Sequence, residues 1–281
     1  MSQHQPKGAD PHGQTEYPLD RLHSPFRVWG NLYFVGTKYV SNHLIDTGDG
    51  LILLDSGYAE TLYMVLDNIY QLGFDPRDIK YIVHSHGHID HIAGTCALVA
   101  MTGAKTFLGR RDLDYVTGTR DLTWAKELDM TFTQTFTPDV LLDDGDKIKL
   151  GNTTIQCYHT PGHTEGCTSF LFNVTDGEKT LVAGTHGGVG LNSLAAKSLK
   201  HYGLPLSLQQ DFLDGIDRLS KLHVDICIGN HPETVDTEGK SERIRSGEAD
   251  AFVDSAAWQE FLSRRKNLVK NMMAKEQAEN T

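Results

Sequence analysis

Residues 26–57 read FRVWGNLYFVGTKYVSNHLIDTGDGLILLDSG, with apolar and polar positions alternating and glycine or aspartate at the breaks. A period of two punctuated by turn residues such as TGDG (47–50) predicts three strands joined by tight turns. The period then lengthens. Leu62, Val65, Leu66 and Ile69 share one face of a helix predicted near 59–73, which Gly73 stops. IKYIV (79–83) is a short apolar run and predicts a buried strand, followed by a helix near 91–102 that ends at Gly103.

The second half repeats the scheme. KIKLGNTTIQCYHT predicts two strands around an LGN turn, and TSFLFNV and KTLVAG predict two more. Leu208, Phe212, Ile216 and Leu219 fall at helical spacing in a helix near 207–221, and VDICIGN reads as another buried strand. A last amphipathic helix is expected from about 254 to 275, with Asp254 as its N-cap. Strands followed by helices, twice over, predict an α+β chain folded as an αββα sandwich, two sheets face to face with helices outside. Residues 1–22 lack periodicity and are read as a flexible arm; residues 23–281 are read as one domain.

Bulk properties narrow the function. The chain has 281 residues, 39% hydrophobic and 22% charged, as for an ordinary globular protein. A net charge of −11 disfavours nucleic acid as a partner but says nothing against a small anionic substrate. No stretch approaches 18 apolar residues, so no membrane span is expected. The first 20 residues hold no apolar segment, so as written the protein is expected in the cytoplasm, or in the periplasm if a leader has been removed. Cys96, Cys157, Cys167 and Cys227 are scattered and read as reduced, mostly buried thiols. RRKNLVK (264–270) is read as a solvated helix face completing i,i+4 pairs. Nothing indicates an oligomeric state.

The chemistry concentrates in HSHGHIDH, residues 84–91, just after a predicted strand. His86, His88, Asp90 and His91 offer four donors within six positions, and TPGHTEG and GNHPE add His163 and His231 in turns after strands. Six donors are too many for one zinc and suit two. The simplest partition puts His86, His88 and His163 on one ion and Asp90, His91 and His231 on the other. Three protein ligands and an open position per ion is the catalytic pattern. Two ions about 3.5–4 Å apart would share a water and lower its pKa to roughly 7, and Asp90 could orient that water or carry its proton. Asp55, ending LLDSG, is either an ordinary turn residue or the acceptor that fixes a ligand imidazole. His84 is expected as buried support. Tyr115, Trp124 and Tyr202 are candidates for lining a pocket or for plain packing.

His-x-His-x-Asp-His, then PGHT, then GNH, resembles the metallo-β-lactamase superfamily. PFRVWGNLYFVGT, LGFDPRDIKYIVHSHGHIDHIAG, LDDGDKIKLG, TPGHTEGCTSFLF and DAFVDSAAWQEF, in that order, are similar to the subclass B3 β-lactamases. The resemblance implies the αββα fold, a binuclear zinc site with the partition above, and a hydrolase opening a β-lactam ring. VAGTHGGVG (182–190) carries Thr185 and His186 where lactonases, phosphodiesterases and glyoxalase II of this superfamily bear a metal-bridging aspartate. B3 enzymes lack that acid too, although they usually carry serine in this loop. Thr185 and His186 are therefore tentative substrate contacts or supports for the metal site. One carboxylate and one hydroxide against two zinc ions leave about +2 at the centre, which suits an anionic substrate. The alternative function is a cytoplasmic metal-dependent hydrolase of a lactone, ester or thioester.

Overall fold

A computed structural model describes residues 18–279; residues 1–17, most of the expected arm, and 280–281 lie outside it. The first sheet holds seven strands in sequential order: β1 Phe26–Trp29, β2 Leu32–Phe34, β3 His43–Asp46, β4 Leu51–Leu54, β5 Ile79–Val83, β6 Lys105–Gly109 and β7 Val140–Leu142. β1 to β4 form an antiparallel meander, and β4 to β7 run parallel. The second sheet holds β8 Lys147–Leu150, β9 Thr153–His159, β10 Thr168–Thr175, β11 Thr180–Thr185 and β12 Ile226–Cys227, in the order β12-β11-β10-β9-β8. Only the β11–β12 pairing is parallel there.

Among the described residues, eight α-helical segments accompany the sheets: α1 Leu62–Gln71, α2 Ile89–Ile92, α3 Thr95–Thr102, α4 Leu113–Val116, α5 Ala196–His201, α6 Ser207–Leu219, α7 Thr237–Arg245 and α8 Ala257–Glu279. The strands alternate between two cores. In β4, Ile52 and Leu54 face the space between the sheets, with Val28, Phe34, Phe170 and Phe172, while Leu51 and Leu53 pack outward against Val65 and Ile69 of α1 and Leu98 of α3. On the other side, Leu171 of β10 packs under Phe212 and Ile216 of α6 and Trp258 and Phe261 of α8. A strand buried on both faces is apolar throughout, which is why LILL carries no polar position. The αββα sandwich expected from the sequence is the fold.

Several boundaries differ. The stretch 26–57 holds four strands, not three, because Gly30 turns β1 into β2 at φ +52°, packed against the Thr175 carbonyl. The helix expected over 91–102 breaks into α2 and α3. A Cβ on Gly94 at the break would lie 2.4 Å from the Ser56 carbonyl oxygen, so the chain passes Ser56 too closely for a side chain there. The last helix begins at Ala257, and Asp254 caps the turn before it by accepting from the Ala256 N–H at 2.9 Å. β6, β7, α5 and α7 were not expected. Pro18–Arg21 forms a 3₁₀ turn whose buried Arg21 pairs with Glu60 at 3.1 Å. Among the described residues, no helix is long and apolar enough to cross a membrane.

Candidate metal centre

The loops leaving β5, β9, β11 and β12 meet at one end of the two sheets. The Thr168 N–H donates to the Ser85 carbonyl at 2.9 Å, tying β10 to the loop after β5. Gly87 lets that loop turn; a Cβ there would sit 2.9 Å from that of Tyr115. Its N–H donates to the buried Asp112, which also accepts from the Thr164 hydroxyl and the Gly166 N–H at 2.6 Å. Asp112 thus joins the His86–His91 loop to the His163 loop. Burial pushes its carboxyl up to about 7, against the pull of those three donors.

Around this frame the six expected donors converge. His86, His88 and His163 offer nitrogens all within 4.8 Å of one another, and the nitrogens of His86 and His91 lie equally close to each other and to a carboxylate oxygen of Asp90. His231 completes the group, with Nε2 3.3 Å from His91 Nε2 and 3.5 Å from Asp90 Oδ2. The surroundings settle which ring nitrogen carries the proton. Asp55 accepts from the Ser85 hydroxyl at 2.8 Å, so Ser85 Oγ accepts in turn from His86 Nδ1 at 3.0 Å. His91 Nδ1 donates to Asp55 Oδ2 at 2.8 Å, His163 Nδ1 to the Gly190 carbonyl at 2.9 Å, and His231 Nδ1 to the Tyr39 carbonyl at 2.8 Å. Each of these four rings therefore turns Nε2 inward. His88 faces them with Nδ1, 2.9 Å from His163 Nε2. Asp55 thus orients the His91 imidazole, as the second of its two expected readings requires, and it does so from the left-handed region at φ +59°.

The electrostatics fit a cation. His86 Nε2 is fully buried and has no hydrogen-bond partner. A lone pair left so, facing other imidazoles, costs free energy unless a positive centre fills the space between them. Burial, then the neighbouring imidazoles, hold His86 well below its usual range; for His88 burial leads and His163 adds to it. Both are thus neutral and ready to donate. Burial opposes charge on His91 too, but Asp90 and Asp55 override it and raise the ring to about 10. Burial would raise Asp90, yet His91 and His231 hold its carboxyl far below the carboxylate range. Without a metal, a proton on His91 neutralises part of this acid pair; a divalent ion would take its place.

The cluster floors a cavity of about 460 Å³, with His88, Asp90, His163 and His231 at its lining. Trp124 forms a wall, its ring tilted against that of Tyr202 with centres 5.8 Å apart, and Ser193 and Asn192 form another. Tyr115 is buried behind His88 and does not line it. Thr185 and His186 lie beneath the cavity rather than in its lining. The Thr185 hydroxyl reaches only the His186 carbonyl at 3.4 Å; the His186 ring sits 5.2 Å from that of Phe212, and burial lowers its pKa to about 3. His84 is buried support, 3.2 Å from the Thr95 hydroxyl. Cys157, Cys167 and Cys227 are buried free thiols, and Cys96 is partly exposed.

Three contributors were not foreseen. Asp112 had a visible trace, an acid opening the short helix of RRDLDYV. Ser193, whose Oγ lies 2.8 Å from His163 Nδ1, had none. Arg265 reaches the cavity from α8, although RRKNLVK was expected to be a solvated face. That expectation holds for the exposed Arg264, Asn267, Leu268 and Lys270 and fails for Arg265. Arg264 hydrogen-bonds the Thr234 carbonyl, Lys266 pairs with Asp217 of α6, and Arg265 turns inward.

Two face-to-face sheets with a histidine-rich donor cluster at their strand ends define a metallo-hydrolase scaffold. Residues 35–235 match the metallo-β-lactamase superfamily, and the chain belongs to it. Among solved structures it is similar to BJP-1, a subclass B3 metallo-β-lactamase of Bradyrhizobium japonicum, with TM-score 0.83 and 27% identity over 94% of this chain and 98% of that one. It is likewise similar to the FEZ-1 metallo-β-lactamase of Legionella gormanii, with TM-score 0.84 and 30% identity over 93% and 99%. Among curated proteins it is 30% identical over 158 residues to the probable polyketide biosynthesis zinc-dependent hydrolase PksB of Bacillus subtilis. It is 32% identical over 185 residues to the N-acyl homoserine lactonase AttM of Agrobacterium fabrum. The matches span 57% and 62% of those two proteins and 56% and 53% of this chain.

Proposed function

We propose that the chain is a binuclear zinc hydrolase that opens the cyclic amide of a β-lactam carrying a carboxylate. The observation that carries this reading is the donor set. Its two triads contain a single carboxylate, Asp90, and the end of β11 places Thr185 and His186, not an acid, near them. Likeness to a subclass B3 enzyme over 94% of the chain supports it.

His86, His88 and His163 would hold one ion, and Asp90, His91 and His231 the other. Ions so held supply Lewis acidity toward a carbonyl oxygen and a nucleophile at neutral pH. The protein's own part is positional. Asp55, Ser85, Gly190 and Tyr39 fix the rings before substrate arrives, so little reorganisation is needed at the reaction. In the balanced reaction, water adds its oxygen to the carbonyl carbon, the C–N bond breaks and a proton passes to the ring nitrogen. Asp90 Oδ2 is the group at the floor that could hold that proton between the two steps. Trp124 and Tyr39 line the cavity and limit water around it.

A lactone substrate is the second reading, favoured by the likeness to the lactonase AttM. Nitrocefin turnover, measured beside zinc content on the same sample and beside a neutral N-acyl homoserine lactone, decides. About two zincs per chain with nitrocefin as the better substrate is the expected result. Two zincs with lactone turnover alone would sink the amide reading. Nitrocefin turnover that survives full removal of metal would sink the metal's role.

A further inference from the structure

On α8, Trp258, Phe261, Leu262 and Val269 form the buried stripe against α6 and the second sheet. Position 265 is four residues after Phe261, three after Leu262 and four before Val269. A helix repeat places it on that same stripe, where an aliphatic side chain would be expected. It is an arginine. Its guanidinium carbon lies 5.6 Å from the centre of the Phe261 ring, and its Nε is buried with no hydrogen-bond partner.

The neighbouring cations are satisfied, one by the Thr234 carbonyl and one by Asp217. Arg265 makes no ion pair among the described residues, although Glu233 lines the same cavity and its charge favours the cation from a distance. Lys38 also lines the cavity and also lacks an ion pair there. Arg265 is half-buried, and a guanidinium partly withdrawn from water with its Nε orphaned and no ion pair weakens the free protein. It stays charged at every physiological pH and offers a planar fork matched to a carboxylate. It opens on the cavity lined by four of the six donors, His88, Asp90, His163 and His231, in a chain whose net charge is −11.

We propose that Arg265 is the specificity-determining residue of this cavity: its guanidinium, assisted by Lys38, binds the carboxylate of the substrate and so orients the scissile group over the donor cluster. The proposal deepens the reading of a carboxylate-bearing substrate and rests on it. Arg265 makes its contact away from the reacting atoms, so it acts on binding more than on the chemical step.

The test uses the full zinc-loaded chain and benzylpenicilloate, the ring-opened penicillin, which keeps the carboxylate and has no ring left to open. Calorimetric titration compares the wild type with Arg265→Met, Arg265→Lys and the control Lys266→Met. Arg265→Met is expected to weaken binding about tenfold or more, Arg265→Lys by less, and Lys266→Met not at all. Because the methionine variant removes an unpaired cation from the apolar stripe, its thermal midpoint is expected to equal or exceed the wild type's. A merely structural role would give the opposite. Unchanged affinity in Arg265→Met, or a wild type that gives no heat with millimolar penicilloate, overturns the proposal. The two readings fail separately. Arg265-dependent penicilloate binding without nitrocefin turnover removes the ring-opening activity and leaves the carboxylate subsite. Nitrocefin turnover with KM unchanged in Arg265→Met does the reverse.

Discussion

The two halves of the donor cluster are held in place by different forces. His86 and His163 are oriented by neutral partners, the Ser85 hydroxyl and the Gly190 carbonyl, with Ser193 beside His163. Their half contains only imidazoles. His91 is oriented by a buried carboxylate, Asp55, and has a second one, Asp90, on its other nitrogen at 3.1 Å. One half is a set of unshared lone pairs; the other is a charged chain in which two carboxylates flank one imidazole. Neutral hydrogen bonds fix direction at about 1 kcal/mol each, whereas bonds to a charged group carry roughly twice that. The halves should therefore differ in how much a single change to their supports costs.

The largest effect erases the comparison altogether. Stripping the metal leaves His86 Nε2 without a partner in a buried site and exposes both triads to their own repulsion. With free zinc a thousandfold above its Kd, the bound ion stabilises the fold by about 4 kcal/mol, and chelation should remove that amount. Urea unfolding with and without chelator reads it. Equal midpoints, with loss of metal verified, would mean the cluster is not coupled to folding.

Asp55→Asn sharpens the contrast. Asparagine keeps the shape but puts an amide N–H₂ or a neutral oxygen against the His91 Nδ1–H and the two Ser85 donors, which together satisfied both carboxylate oxygens. An altered support of this kind lowers metal affinity about 10- to 100-fold. In the proposed partition the loss should fall mainly on the ion that His91 would hold, since Asp55 touches the other half only through Ser85. Zinc titration against a chromophoric chelator separates the two sites. Equal weakening of both would show that Ser85 transmits the whole effect and that the halves are not independent.

What was readable beforehand follows the same division between local and long-range. Four donors lie within His86–His91 and two more sit in short turns, so spacing alone assembles them. Most strands were legible where burial on one or two faces wrote a period of two or an apolar run, as in IKYIV; β6 was not, because Lys105, Thr106 and Gly109 break the apolar run of KTFLG. β7 was not, because VLL is three residues long and half-buried. The supports were harder. Asp55 showed only as an acid at a strand end, and its role needed the 36-residue separation from His91 to close in space. Ser193 meets His163 across 30 residues, in a loop with no periodicity to place it. Arg265 was hidden by its company. Between two other cations it looked like part of a solvated face, and only the register with Phe261 and Val269 puts it on the buried side.

Ser193→Ala is the mildest change and the closest test of the neutral half. The serine hydroxyl donates to the His163 carbonyl at 2.7 Å and lies 2.8 Å from its Nδ1, tying the ring to its own backbone. Alanine removes that clamp but leaves the Gly190 carbonyl as acceptor for the same Nδ1–H at 2.9 Å. No charge is stranded, and the small space left can admit water from the cavity that Ser193 lines. The expected loss is about 0.5–1.5 kcal/mol, roughly 2- to 12-fold in affinity for the ion that His163 holds. The other ion should bind as before. If Ser193→Ala weakens zinc as much as Asp55→Asn does, neutral and charged supports are equivalent here. The distinction between the two halves would then lie in their ligands alone.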